Sequence, residues 1–243
     1  MDRLEKSCRG GRITRAILVD LPPMAERLEY AVDGLAGRRV DRSRNREPMS
    51  RVLVQALIQQ ILEQRRGLVR LAASQRSKFE HWLKLELAAA LEPMPSVSQV
   101  RLEDSYGPHH GRADVSFTEH NARWHVELKT SNVNWRAEGV ENRTRPITKN
   151  IDSIAADVLK LRAQCGAAGG LAAFVLFPVP HRIWREERAK LDYHLSRIER
   201  ECGLKPGSLA EAAGFVDVHP EYGLAVFVVE AAEPRSGSEI TPR

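Results

Sequence analysis

The clearest alternation of apolar and polar positions runs from Gly111 to Thr130, GRADVSFTEHNARWHVELKT. Ala113, Val115 and Phe117 alternate with Asp114 and Ser116, and Val126 and Leu128 alternate with Glu127 and Lys129. Successive strand side chains point to opposite faces, so this predicts two strands, Arg112–Phe117 and Arg123–Thr130. The polar stretch Thr118–Ala122 is turn material, which makes the pair a hairpin. Upstream, Ser50–Arg66 has Val52, Leu53, Leu57, Ile58, Ile61 and Leu62 at helical spacing, with Ser50 as its cap. Its apolar face needs a partner, either the core domain or a second copy of the chain, so a homodimer is one expected assembly. Ser77 and Glu80 read as a capping box opening a helix that Pro93 ends. Its apolar face is Phe79, Trp82, Leu83, Leu87, Ala89 and Ala90, with Glu86 near the middle and Glu80 near the edge.

Further elements follow the same logic. Val97–Glu103 is a strand, Asp104–Gly111 a loop, and Ser131–Pro146 a surface loop. Thr148–Cys165 is a helix with Ile151, Ile154, Ala155, Val158, Leu159 and Leu161 inward and Lys149, Asp152 and Lys160 on or near its polar side. Gly170–Pro178 has the unbroken hydrophobicity of a strand buried on both faces. A helix near Ile183–Cys202 and strands Phe215–His219 and Leu224–Glu230 complete an α/β pattern: a mixed central sheet flanked by helices. Ahead of these lie a short strand, Arg12–Asp20, and a helix, Pro23–Leu35. The expected organisation is an extension over residues 1–76, a domain over 77–232 and a disordered tail over 233–243.

Composition and charge refine this picture. At 243 residues and 42% hydrophobic content the chain can bury a substantial core. Up to Arg76 there are 16 Lys and Arg against 9 Asp and Glu, leaving 21 against 23 for the remainder. The excess positive charge thus precedes the expected core, densest over Gly37–Arg51. That run reads as a flexible arm, either contacting nucleic-acid phosphates or simply solvated. The longest apolar run, Gly170–Val179, is too short to span a bilayer, and Ile17–Pro23 contains Asp20 and lacks a signal-peptide pattern. No membrane partner and a cytoplasmic location are expected. Cys8, Cys165 and Cys202 lack metal-site spacing and read as free thiols.

The candidate chemistry lies on the polar side of the hairpin. In register, Asp114 and Glu127 come together with Lys129 beside them. Paired carboxylates suit Mg²⁺ or Mn²⁺, and an ammonium beside them can stabilise charge developing on a phosphate. The alternative is a solvated charged face. Glu86, a carboxylate in an apolar stripe, either aims at this pair or is matched by an Arg or Lys. After the hairpin, Arg136, Arg143, Arg145 and Lys149 suit backbone phosphates, and Trp135 either stacks on a base or folds onto the core. His109 and His110 precede the hairpin as a substrate-touching or solvated pair.

A helix bearing Glu86, a strand bearing Asp114, a strand carrying Glu127-Leu128-Lys129, then a helix and a buried strand resemble the PD-(D/E)XK nuclease superfamily over roughly Ser77–Pro178. Ala113 stands where the literal motif has proline. The resemblance implies a restriction-endonuclease-like core and metal-dependent nuclease activity, on DNA before RNA. It also implies Mg²⁺ or Mn²⁺ held by Asp114, Glu127 and the Leu128 carbonyl, with Glu86 extending the site and Lys129 serving the attacking water. The rival expectation is a nuclease-like module that binds nucleic acid or a protein partner without cutting.

Overall fold

The structure, a computed structural model, describes residues 49–106, 111–141, 147–165 and 169–231. These residues belong to one compact unit. The strand Arg12–Asp20, the helix Pro23–Leu35, most of the basic arm, Cys8, His109, His110, Arg143, Arg145 and the tail 233–243 lie outside the described residues.

The elements are α1 (Met49–Gln64), α2 (Arg66–Ser74), α3 (Glu80–Leu91), β1 (Val97–Ser105), β2 (Arg112–Glu119), β3 (Ala122–Asn132), α4 (Ile147–Gln164), β4 (Gly169–Pro180), α5 (His181–Arg185), α6 (Arg188–Cys202), α7 (Ser208–Glu211), β5 (Gly214–His219) and β6 (Tyr222–Glu230). They form a mixed six-stranded sheet in the order β1-β2-β3-β4-β6-β5. Only the β3–β4 pair is parallel, and α4 is the crossover between them. From Gly170 to Pro180 every residue of β4 is buried, so both faces of the sheet must be covered. On one face Ala172, Phe174 and Leu176 pack with Ile151, Ile154 and Val158 of α4 and Leu191, Leu195 and Ile198 of α6. On the other, Phe79 at the start of α3 meets Phe177, their ring centroids 4.9 Å apart.

The apolar face of α1 has its partner within this unit. Val54, Leu57, Ile58 and Leu62 are buried, and Gln55 donates to the Ala212 carbonyl. The expected helix ends at Gln64, because the backbone at Arg65 leaves helical geometry (ψ 23°), and a second helix that the pattern does not mark begins at Arg66. The hairpin turn is tighter than the sequence suggests: only His120 and Asn121 connect the strands, both left-handed (φ 48° and 66°). Two such residues match the right-handed twist of a hairpin. The helix near Ile183–Cys202 is two, because the amides of Glu186 and Glu187 both donate to the Arg182 carbonyl and close α5.

Arg76, between α2 and α3, is buried and anchors the segment after β3. Its guanidinium donates to the carbonyls of Val133, Trp135 and Glu141, and Asn132 donates back to its carbonyl. Trp135 is accordingly folded onto the core beside His194.

His125 on β3 is buried, and its Nδ1 has no hydrogen-bond partner among the described residues. Burial, then the charge of Arg123, hold its pKa below the ordinary histidine value, against the pull of Asp104. Such a group stabilises the fold above its unfolded pKa, and that contribution is lost as pH falls through the folded one. Melts from about pH 8 to about pH 5 are expected to show a falling Tm, and His125→Phe should remove part of the fall. Parallel curves for the two proteins would count against this account.

Candidate functional site

The hairpin is paired only from Glu119↔Ala122 to Val115↔Val126. Beyond that point β2 stays with β1 as far as Ser105↔Arg112, while β3 stays with β4 as far as Asn132↔Phe177. The sheet therefore forks, and the β3 amides that would have met β2 need other acceptors. Two carboxylates supply them. Asp114 Oδ2 accepts from the Leu128 amide at 2.8 Å, and Glu80 Oε2 accepts from the Thr130 amide at 3.0 Å. A strand residue's N–H and C=O point to the same side, so the Leu128 carbonyl opens into the fork as well.

Asp114 and Glu127 occupy the next positions of the hairpin register, and helices from the two faces of the sheet send side chains to them. From α3, Lys84 pairs with Asp114 Oδ1 (3.4 Å) and with Glu103. From α4, Lys160 pairs with Glu127 Oε1 (2.5 Å) and Asp157 with Lys129 (3.0 Å). Tyr106, at the end of β1, donates its hydroxyl to Glu127 Oε1 at 2.6 Å. The fork thus holds Glu80, Asp114, Glu127 and Asp157 against Lys84, Lys129 and Lys160, with Glu103 at the rim near Arg112.

Burial raises the Glu127 pKa, helped by the charge of Asp114, although Lys160 and Tyr106 oppose it. Burial would lower Lys84 and Lys129, but Glu103 and Asp114 outweigh it at the first, and Asp157 does so at the second; both are raised. Burial and the Glu127 carboxylate raise the Tyr106 hydroxyl, which stays a donor.

Asp114 and Glu127 stand on adjacent strands at the fork, and Lys129, two residues on from Glu127, pairs with Asp157 rather than with either of them; Glu86 does not join them. It lies on the far side of α3, where Trp82 Nε1 donates to it at 3.2 Å and Arg65 pairs with it at 3.3 Å. The helix acid that reaches the fork is Glu80. It is diverted from the expected capping box, since α3 begins with Phe79 at the cap and no side-chain cap bond. The open Thr130 amide competes for the Glu80 carboxylate and wins. The sequence pattern does not mark Lys84, Tyr106, Asp157 or Lys160 as site residues, and gives Lys160 only as a polar-side position of its helix. Arg136 and Lys149 are exposed.

As a metal site, the donors are hard oxygens: Asp114, Glu127 and the Leu128 carbonyl. Among the described residues no group of three or more His, Cys, Asp or Glu is assembled to hold an ion. That donor set fits Mg²⁺, which keeps several waters and takes one or two carboxylates, better than ions needing an all-protein cage. No helix among the described residues is long and apolar enough to cross a membrane. Comparison with known proteins yields no relative: no family model, no curated protein and no solved structure matches the chain.

The two α3 acids are expected to differ sharply in stability tests. Glu80→Ala leaves the Thr130 amide without its acceptor and should cost about 1–3 kcal/mol. Glu86→Ala removes a half-exposed ion pair and should cost at most about 1 kcal/mol. Urea unfolding of both variants checks this, and equal losses would mean Glu80 does not hold the fork.

Proposed function

We propose that this chain is a metal-dependent phosphodiesterase acting on nucleic acid, DNA before RNA, with a restriction-endonuclease-like core of the PD-(D/E)XK type. The observation that carries the reading is the fork. Where β2 leaves β3, Asp114 and Glu127 lie by the Leu128 amide and carbonyl, with a helix acid and three ammonium groups around them. In this reading the helix acid is Glu80 rather than Glu86.

Asp114, Glu127 and the Leu128 carbonyl would hold Mg²⁺ or Mn²⁺, which when bound makes a water easier to deprotonate and neutralises phosphate charge. The chain's own residues do the rest. The Leu128 amide fixes the Asp114 carboxylate, and Tyr106 fixes Glu127 by a donor that does not ionise. Lys84 and Lys160, paired with the two carboxylates, supply positive charge where a phosphate would gain negative charge. Exposed Arg136 and Lys149 would contact the strand's backbone, as would Arg143 and Arg145.

One observation favours a second reading, a module that binds nucleic acid without cutting it. Lys84 and Lys160 already neutralise the carboxylates that an ion would need. Titrating Mg²⁺ and Mn²⁺ against the full chain with plasmid and single-stranded DNA separates the two. The expected result is cleavage that Asp114→Asn reduces by about 10²-fold or more, together with a metal-dependent rise in Tm that the variant lacks. Binding without cleavage under every metal would establish the second reading instead.

A further inference from the structure

The spacing of Glu127 and Lys129 names Lys129 as the ammonium of the site, yet other lysines are ion-paired with the two carboxylates: Lys84 with Asp114 at 3.4 Å, and Lys160, the closer, with Glu127. Lys129 Nζ is held 3.0 Å from Asp157, on α4. Lys160, one turn further along the same helix, is ion-paired with Glu127 Oε1 at 2.5 Å. We infer that Lys160 is the catalytic residue that contacts the substrate's phosphate, and that Lys129 ties β3 to α4. The inference rests on the phosphodiesterase reading for its catalytic part, but not for the phosphate contact itself.

Three features support the assignment. The Lys160 ammonium lies 5.4 Å from the centroid of the Tyr106 ring, so the aromatic face and Glu127 together fix its position. Its stem runs past Gly111, where an added Cβ would stand only 3.2 Å from Lys160 Cε; a side chain there would press on the lysine. The Lys160 side chain is also the more open of the two, at 35% exposure against 24% for Lys129. An ammonium has three donors, and among the described residues Lys160 uses one, on Glu127. The remaining N–H groups can donate to a non-bridging phosphate oxygen. No proton moves and no bond to Lys160 forms; its role is to offset charge as the phosphorus centre becomes more negative. On the phosphodiesterase reading the ligand is a phosphodiester, whose phosphate meets the Lys160 ammonium on its side away from Glu127.

The test compares Lys160→Met and Lys129→Met, which remove the same charge from the same fork, with Lys160→Gln as a second variant and Lys160→Arg as the conservative one. All are made in the full chain and their folding is checked by Tm. With Mn²⁺ and plasmid DNA, Lys160→Met is expected to lower kcat by about 10²-fold or more, as for loss of an electrostatic catalyst. Lys160→Arg should recover part of the loss, and Lys129→Met should stay within about tenfold of the parent while losing stability. The reverse ranking overturns the assignment, as does full activity in Lys160→Met. If the parent protein cleaves nothing, the phosphodiesterase reading fails, and a metal-free arm still decides the contact. There, inorganic phosphate and a single-stranded oligonucleotide serve as probes. Weaker binding by Lys160→Met than by Lys129→Met sustains it, and equal binding removes it.

Discussion

Where β2 parts from β3, two strand amides lose the partner that an unbroken ladder would have given them. Leaving a buried N–H unpaired costs about as much as a lost hydrogen bond, so the split demands replacement acceptors. Asp114 and Glu80 are those acceptors, and much of the surrounding arrangement follows from placing carboxylates there. A carboxylate withdrawn from water calls for a cation, and Lys84 and Lys160 arrive from helices on opposite faces of the sheet. Lys129, brought in by the strand itself, then needs Asp157. The same split that places the two carboxylates has also assembled the counter-charges that hold them.

The long, fully buried β4 makes this possible. Because its side chains are covered on both faces, α3 and α4 sit on opposite sides of the sheet, and the gap between strands lets a lysine from each reach the strand carboxylates. Gly169 shows how tightly the parallel pair is packed at its start, since an added Cβ there would fall 2.2 Å from the Trp124 ring. The gap is thus local, opening at one end of an otherwise close-packed sheet.

Much of this was legible in the chain. The period-two pattern around Asp114, Glu127 and Lys129 identified both strands and the face those residues share, because one-sided burial leaves a strong signal. The doubly buried β4 was equally plain from its unbroken hydrophobicity. What the pattern could not give was the rotation of α3. A helical stripe shows which residues face the core in general, and Glu86 does lie near the middle of the apolar residues, yet the fork lies to one side of that stripe and selects Glu80 and Lys84. Nor was α2 visible, since RGLVRLAAS offers two leucines, Leu68 and Leu71, that remain about half exposed. Asp157 and Lys160 belong to the same class of omission. On a helical pattern they look like solvent-facing charges, and only the strand beneath them gives them partners.

The crossed arrangement of those charges has a mechanical meaning. Along β3 the order is Glu127 then Lys129, and along α4 it is Asp157 then Lys160, with each acid matched to the base of the other element. Sliding α4 along the strand by roughly one turn, about 5.4 Å, would set acid against acid or base against base. The four residues therefore work as an alignment key, fitting in one position and resisting the neighbouring ones. The close packing of Ile151, Ile154 and Val158 already resists sliding, and the charge pattern adds a preference for this one register. Because the crossover helix is keyed in this way, charge pairing joins apolar packing in fixing where Lys160 stands along β3.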